Sequence, residues 1–411
     1  MNILISGASV AGPTLAYWLH RHGCTSTIVE RAPALRPGGH AIDLRGPASD
    51  VAEAMGIMDA VREAGIGTLG MNYVDATGKR LASMPVDLFD GHAVVAEIEI
   101  LRGDLTKILY EATRHDTEYL FGDRITSITS HDTGVDVTFE HAEPRTFDLV
   151  IGADGVHSGV RALVFGPESE FVDHLGYYMA YFTTPPLVEL NGWEQFFNAP
   201  GGRMAALRPG HGTDMTALFG FESPLLDHGH RDVAKQKQAV AKAFEDVGWQ
   251  VPAMLAAMAD APDFYFDTVC QIKMATWSKD RVALLGDAAY CPSPIAGAGT
   301  PLAMVGAYVL AGELAAAKGD HRRAFANYET ELRPYVAQKQ ELPPGGPRGA
   351  MPRTRHGIWL RNLMTRALPH LPGKSLIAKQ IAKPPAIQLK PYDQTDPREE
   401  LKVPERTTRG A

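Results

Sequence analysis

The chain opens on a short apolar run, Asn2–Ser6, followed by six small residues, Gly7-Ala8-Ser9-Val10-Ala11-Gly12. Leu15, Trp18, Leu19 and His22 then recur at helical spacing. Pro13 stands in the first turn, where its fixed φ is favoured, and Gly23 is a stop signal. Thr25–Glu30 is β-branched and ends in an acid, so the first thirty residues predict strand, turn, helix, strand. Val51, Ala54, Met55, Met58 and Val61 share one face and predict a helix over 48–64. Another is predicted over 105–114, with Asp104 as its N-cap. Strands are predicted over 124–129 and 135–140 around Asp132-Thr133-Gly134, and 147–152 is the apolar run of a strand buried on both faces. From 165 to 275 the pattern alternates, with turns at Pro200-Gly201-Gly202 and Pro209-Gly210, and predicts an antiparallel sheet followed by a helix over 231–247. A buried strand at 281–285, a Gly-rich loop, a helix after Gly299 and another over 321–341 return to the first pattern. Residues 342–355 read as a Pro/Gly-rich basic linker, 357–368 as a helix, and the last thirty as a poorly ordered polar tail.

This order predicts an α/β fold with a Rossmann-like domain in two pieces, 1–165 and 276–342. A second, mainly antiparallel β-sheet domain for substrate is inserted at 166–275, and 343–411 forms a C-terminal linker, helix and tail. Composition narrows the possibilities. At 411 residues, 45% hydrophobic and 21% charged, the chain is neither disordered nor fibrous. A net charge of −8 argues against nucleic acid as partner. Three cysteines with no close pair give no disulfide framework and no cysteine zinc site, so a reducing cytoplasm is expected. No basic, apolar leader opens the sequence. Residues 288–312 carry no formal charge and match a bilayer in length. Pro292, Pro294, Pro301 and four glycines interrupt them, which predicts a buried helix and no membrane span. Ten of the 33 aromatic residues fall between 171 and 221, against about four for even scatter. One face of that sheet is therefore a candidate roof for a flat apolar ligand, with Tyr181, Phe196, Met204, Phe219 and Pro294 as candidate pocket residues.

Three Gly-rich strand ends carry the chemistry. In the first, a pyrophosphate needs open backbone N–H groups at a helix N-terminus. Gly7 allows the tight turn and Gly12 the close packing of helix on strand, with Ser9 at the middle position and Ala11 beside it. Glu30, with Arg31 after it, stands where a carboxylate accepts from a ribose. The second runs from Gly152-Ala153-Asp154-Gly155 through His157 to Arg161, and the third is Gly286-Asp287-Ala288-Ala289 with Gly297-Ala298-Gly299. Taken singly, each aspartate reads as a helix cap. His228-Gly229-His230 has no further ligand at metal spacing, Ser158 is not in a nucleophile elbow, and no metal site is expected.

In this order and at these separations the three motifs resemble the FAD-dependent aromatic hydroxylases, the single-component class A flavoprotein monooxygenases. The resemblance covers residues 1–320. It implies that Gly7, Ser9, Gly12 and Glu30 hold the ADP portion of FAD. It implies that Arg102 contacts FAD, that Asp154 and Arg161 serve FAD and the nicotinamide donor, and that Asp287 holds ribityl or ribose hydroxyls. The 297–299 amides would face the flavin pyrimidine, and Arg45 is a candidate pyrophosphate contact. Three positions depart from the family pattern: its usual His is Tyr290, its Asn is Pro301 and its Asp is Gly306. The activity implied is NAD(P)H- and O2-dependent hydroxylation of an aromatic or polyketide-like small molecule through a C4a-hydroperoxyflavin, by a monomer or homodimer, without a protein nucleophile. A Baeyer–Villiger oxygenation, or a flavin reductase or dehydrogenase that inserts no oxygen, would share the same motifs.

Overall fold

The structure, a computed structural model, describes residues 1–36, 38–86, 88, 98–226, 232–342, 345–370 and 385–392. His228-Gly229-His230 lie outside the described residues. The first sheet has the strand order Ser278–Lys279, Val282–Leu284, Leu149–Gly152, Asn2–Ser6, Thr25–Glu30, Thr117–Phe121, parallel except at the first pair. Ile3, Leu4, Ile5, Val150, Ile151, Ala283 and Leu284 are wholly buried. Helices and a three-stranded antiparallel sheet (Ile125–Ser130, Val135–Phe139, Arg145–Phe147) share its core, so the central strands need no polar face. In register, Ser6 lies opposite Gly152 and Gly152 opposite Leu284. Three strands distant in sequence thus end level, and their small-residue turns begin side by side.

The second sheet runs in the order Tyr265–Ile272, Val172–Thr184, Met215–Glu222, Arg203–Pro209, Trp193–Ala199, Gly70–Val74, Arg80–Pro85. It is antiparallel except where Trp193–Ala199 pairs with Gly70–Val74. Here the expected domain boundary is corrected. Residues 70–85, placed by sequence in the first domain, complete the second sheet. Their hairpin is too short a signal to reveal a parallel partner more than a hundred residues away. The expected helix over 48–64 is two, Pro47–Ala54 and Met58–Glu63, because Gly56 turns left-handed at φ 72°.

Helix Gly299–Ala316 matches the length and composition of a membrane span, and most of it is buried inside the protein. It is apolar on all sides, as a fully enclosed helix must be. It packs against helices Ala11–Arg21 and His321–Gln340. The tail, expected to be poorly ordered, docks on it at 385–392. Tyr308 Oη donates to Lys390 O (2.6 Å), Tyr392 Oη donates to Glu313 (2.6 Å), and the Tyr392 ring lies over Gly312, where a Cβ would come within 2.2 Å.

Two departures from the family pattern answer each other in this core. Tyr290 is buried, shares a hydrogen bond with Tyr328 Oη (2.9 Å) and points at Gly306, where a Cβ would lie 2.2 Å from its hydroxyl. Gly306→Ala should therefore cost about 1–3 kcal/mol of unfolding free energy by overpacking. In a Tyr290→Phe background the same change should cost about 1 kcal/mol less. Urea denaturation of the four-member cycle checks this; equal costs in both backgrounds would contradict the contact.

Candidate functional site

The three turns fit against one another through glycine. Gly7 (φ 109°) sits so close to the second turn that a Cβ would lie 2.4 Å from Ala153 O. A Cβ on Gly12 would lie 2.0 Å from Gly7 O, and one on Gly286 (φ 66°) would touch Ala11 Cβ at 3.4 Å. Glu30 ties the first turn to its strand: Oε2 accepts from Ala8 N (2.9 Å) and Oε1 from Ala32 N (2.8 Å). Ser9 is half-buried and Arg31 exposed. Helix Ala11–Arg21 has Val10 as N-cap and helix Gly299–Ala316 has Ala298, and neither receives a side-chain cap. Ser158, Asp232, Asp320 and Thr354 do cap the helices that they open. The first-turn amides of both helices at the site are thus left without a side-chain acceptor, in the field that favours an anion.

At the third turn the Asp287 carboxylate faces Gly299, where a Cβ would lie 3.6 Å from Oδ1. Burial pushes the Asp287 pKa up and the Arg102 charge pulls it back. The same arginine acts on His40 and Tyr265, so it stands where the two sheets face each other. Gly297 is left-handed (φ 59°) and exposed, and Ala298 is buried. Arg45 pairs with Asp43.

The second turn carries structural bonds of its own. Asp154 accepts from Ser158 Oγ and Val160 N, which makes it a brace for the helix Gly159–Val164. Arg161 is wholly buried. Its guanidinium donates to Ala288 O (2.9 Å) and Val156 O and pairs with Glu168 (3.4 Å). It is a strut between the second and third turns, held by carbonyl oxygens.

Tyr181, Met204 and Phe196 share one face of the second sheet with Met179 and Leu218, and Ile295 of the Gly-rich loop packs against it. Pro294 is exposed on that loop. Met351, from the region expected to be a linker, is buried in the same cluster. Phe219 is the correction. One register step away from Leu218, it points to the opposite face, where it packs on Phe244 (4.6 Å between centroids) and Phe182 under the covering helices.

Sequence reading missed two charged clusters. On the Tyr181 face, Arg208 pairs with both Glu99 and Glu194, each almost wholly buried, and the His40 ring lies 4.9 Å from that of Tyr181. Burial pushes the Glu194 pKa up against the pull of Arg208. Burial, then Arg102 and Arg208, hold His40 down at about 3, so it is neutral. The signal was present: in Met204-Ala205-Ala206-Leu207-Arg208 a charge occupies an apolar-face position. The other cluster is a chain. Tyr265 Oη donates to Asp267 (2.8 Å), and His157 bridges Asp267 (3.1 Å) and Glu168 (3.0 Å). His157 lies inside the second motif, but its partner is 110 residues away.

Burial alone would lower the His157 pKa; the hydrogen bonds and charges of Asp267 and Glu168 overcome it and raise it from 6.5 to about 9. Its stabilisation is thus complete below pH 6.5 and lost as pH rises through 9. Over that window His157→Gln should lose on the order of 2 kcal/mol less stability than the parent chain. Urea midpoints against pH measure this; parallel curves would contradict it.

The family model described as FAD binding domain matches residues 1–341. The uncharacterized protein Rv1260 of Mycobacterium tuberculosis strain H37Rv is 44% identical over 369 residues, 88% of this chain and 99% of the relative. A flavin-dependent monooxygenase of Legionella longbeachae is 39% identical over 343 residues, 83% of this chain and 87% of that one. Among solved structures, the tetracycline destructase Tet(51) superposes with a TM-score of 0.80 at 35% identity, over 95% of this chain and 99% of its own. With the family model spanning most of its length and relatives near 40% identity, this chain belongs to the FAD-dependent monooxygenases.

Proposed function

We propose that this enzyme uses NAD(P)H and O2 to insert one oxygen atom into a fused-ring, aromatic or polyketide-like small molecule. The observation that carries the reading is the apolar sheet face of Tyr181, Phe196 and Met204, set against the Gly-rich loop at Pro294–Gly299 and bordered by His40 and Arg208. An apolar face with one charged cluster at its border suits a flat substrate held by one or two oriented contacts. The likeness to a tetracycline destructase at 35% identity supports the same class of ring system.

The residues present fit FAD. The uncapped amides after Val10 suit its pyrophosphate and Glu30 its adenosine ribose. Asp287, beside Gly299, would hold ribityl hydroxyls, and the amides that open the helix at Gly299 suit the electron-rich pyrimidine end. The bound flavin supplies hydride acceptance from the nicotinamide and activation of O2. This chain's part is to orient and to exclude water. The sheet face and Met351 enclose the apolar side of the cleft, and neutral His40 and cationic Arg208 orient an oxygen-bearing edge of the substrate.

Two results are expected. With a panel of phenols and fused-ring polyketides, NAD(P)H oxidation should yield a product heavier by one oxygen atom that carries label from 18O2. Consumption that makes only hydrogen peroxide across the panel would contradict the reading. Asp287→Ala should weaken FAD binding about 5- to 100-fold, from the loss of one or two buried hydrogen bonds. Full flavin retention after dialysis would remove Asp287 from the cofactor site.

A further inference from the structure

Helix Arg355–Ala367 is built inside out. The face it lays on the strand Arg80–Pro85 is polar: Asn362 and Thr365 are buried there, and the Arg361 guanidinium sits 3.7 Å above the Tyr73 ring and donates to Asn198 Oδ1 (2.7 Å). The outward face is apolar, with Trp359 63% exposed, Leu360 50%, Leu363 44% and Met364 64%. At about 100° per residue these four fall on a single arc that also holds exposed His356, with exposed Arg355 and Arg366 along one border. A helix that serves only the core shows the reverse. Charge is biased in this part of the sequence, with Arg353 paired to Glu222 and Lys390 to Glu313 and Glu331. Between residues 342 and 392 the sequence has nine Lys or Arg and no Asp or Glu, in a chain whose net charge is −8.

These observations fix the chemistry of what covers the face. It must accept four large apolar side chains and be anionic. Nucleic acid offers no apolar layer for Trp359 and Met364 to enter. A second copy of this face would bring the same cationic border against itself. Residues 371–384 of this chain carry Lys374, Lys379 and Lys383 and no acid, so they do not supply the anion. An anionic bilayer surface supplies both needs. A 13-residue helix is about 20 Å long, too short to cross the hydrocarbon core.

We propose that helix Arg355–Ala367 docks this enzyme on an anionic lipid surface, lying in the interface plane. Trp359, Leu360, Leu363 and Met364 enter the headgroup–acyl boundary and Arg355 and Arg366 pair with lipid phosphates. The inner face, fixed by Arg361 and Tyr73, holds the helix to the body of the protein while the outer face is in lipid.

The experiment is flotation of the full-length, FAD-loaded protein with vesicles of phosphatidylcholine alone or of phosphatidylcholine with phosphatidylglycerol. The protein should float with the anionic vesicles, less so in high salt, and hardly at all with the neutral ones. Arg355→Ser with Arg366→Ser should weaken partitioning about 30-fold. Trp359→Ser with Leu363→Ser should abolish it. Both pairs should keep the parent flavin spectrum and melting temperature, because all four side chains are exposed. No flotation, or equal binding to both vesicle types, overturns the proposal. So does a dimer in sedimentation velocity that the Trp359→Ser, Leu363→Ser pair dissolves without any vesicle binding, since the face would then join two copies. None of these outcomes depends on the substrate or the nicotinamide donor.

Discussion

The level ending of three parallel strands is the constraint on which the rest of the molecule depends. Ser6, Gly152 and Leu284 stand abreast because the hydrogen-bond register of one sheet puts them there. Each strand then breaks into a turn of small residues, and the turns interlock: no side chain fits at Gly7 against Ala153, nor at Gly12 against Gly7. Two uncapped helix starts and one buried carboxylate are thereby aimed at a common cleft. A dinucleotide needs just these elements, amides for phosphate and carboxylates for sugar hydroxyls. The second sheet closes the cleft from the other side with an apolar face.

Much of this was legible in the sequence because local chemistry writes itself locally. The run Asn2–Ser6, the small-residue turn and Glu30 announce a strand–turn–helix–strand unit. The apolar strands before Asp154 and Asp287 announce two more strand ends. What was not legible depends on pairs far apart in the chain. Residues 70–85 joined the other sheet through a parallel partner at Trp193–Ala199. Phe219 and Leu218 are neighbours with the same apolar character, and only the register decides which of them faces the cleft. Arg161 reads as a ligand in its motif, and nothing local shows that its guanidinium also reaches Ala288 O, 127 residues away. The clusters around Arg208 and His157 escaped for the same reason.

The departures from the family pattern carry structural meaning. Tyr290 and Gly306 exchange volume across the core, one large where the other has no side chain, so neither needs to touch the flavin ring. The region after residue 342 is more than a linker. Met351 is buried against the Tyr181 face, Tyr392 packs on the central helix at Gly312, and helix Arg355–Ala367 turns an apolar face to the outside. The chain keeps its acidic balance before residue 342 and concentrates positive charge between 342 and 392.

Hydrogen–deuterium exchange on the apoprotein, before and after addition of FAD, tests the convergence of the three turns most directly. The expected result is simultaneous protection of three separate segments, residues 7–12, 153–161 and 286–300, at one FAD concentration. Protection confined to residues 7–12, with the other two segments exchanging as before, would show that the three strand ends do not hold a common cofactor.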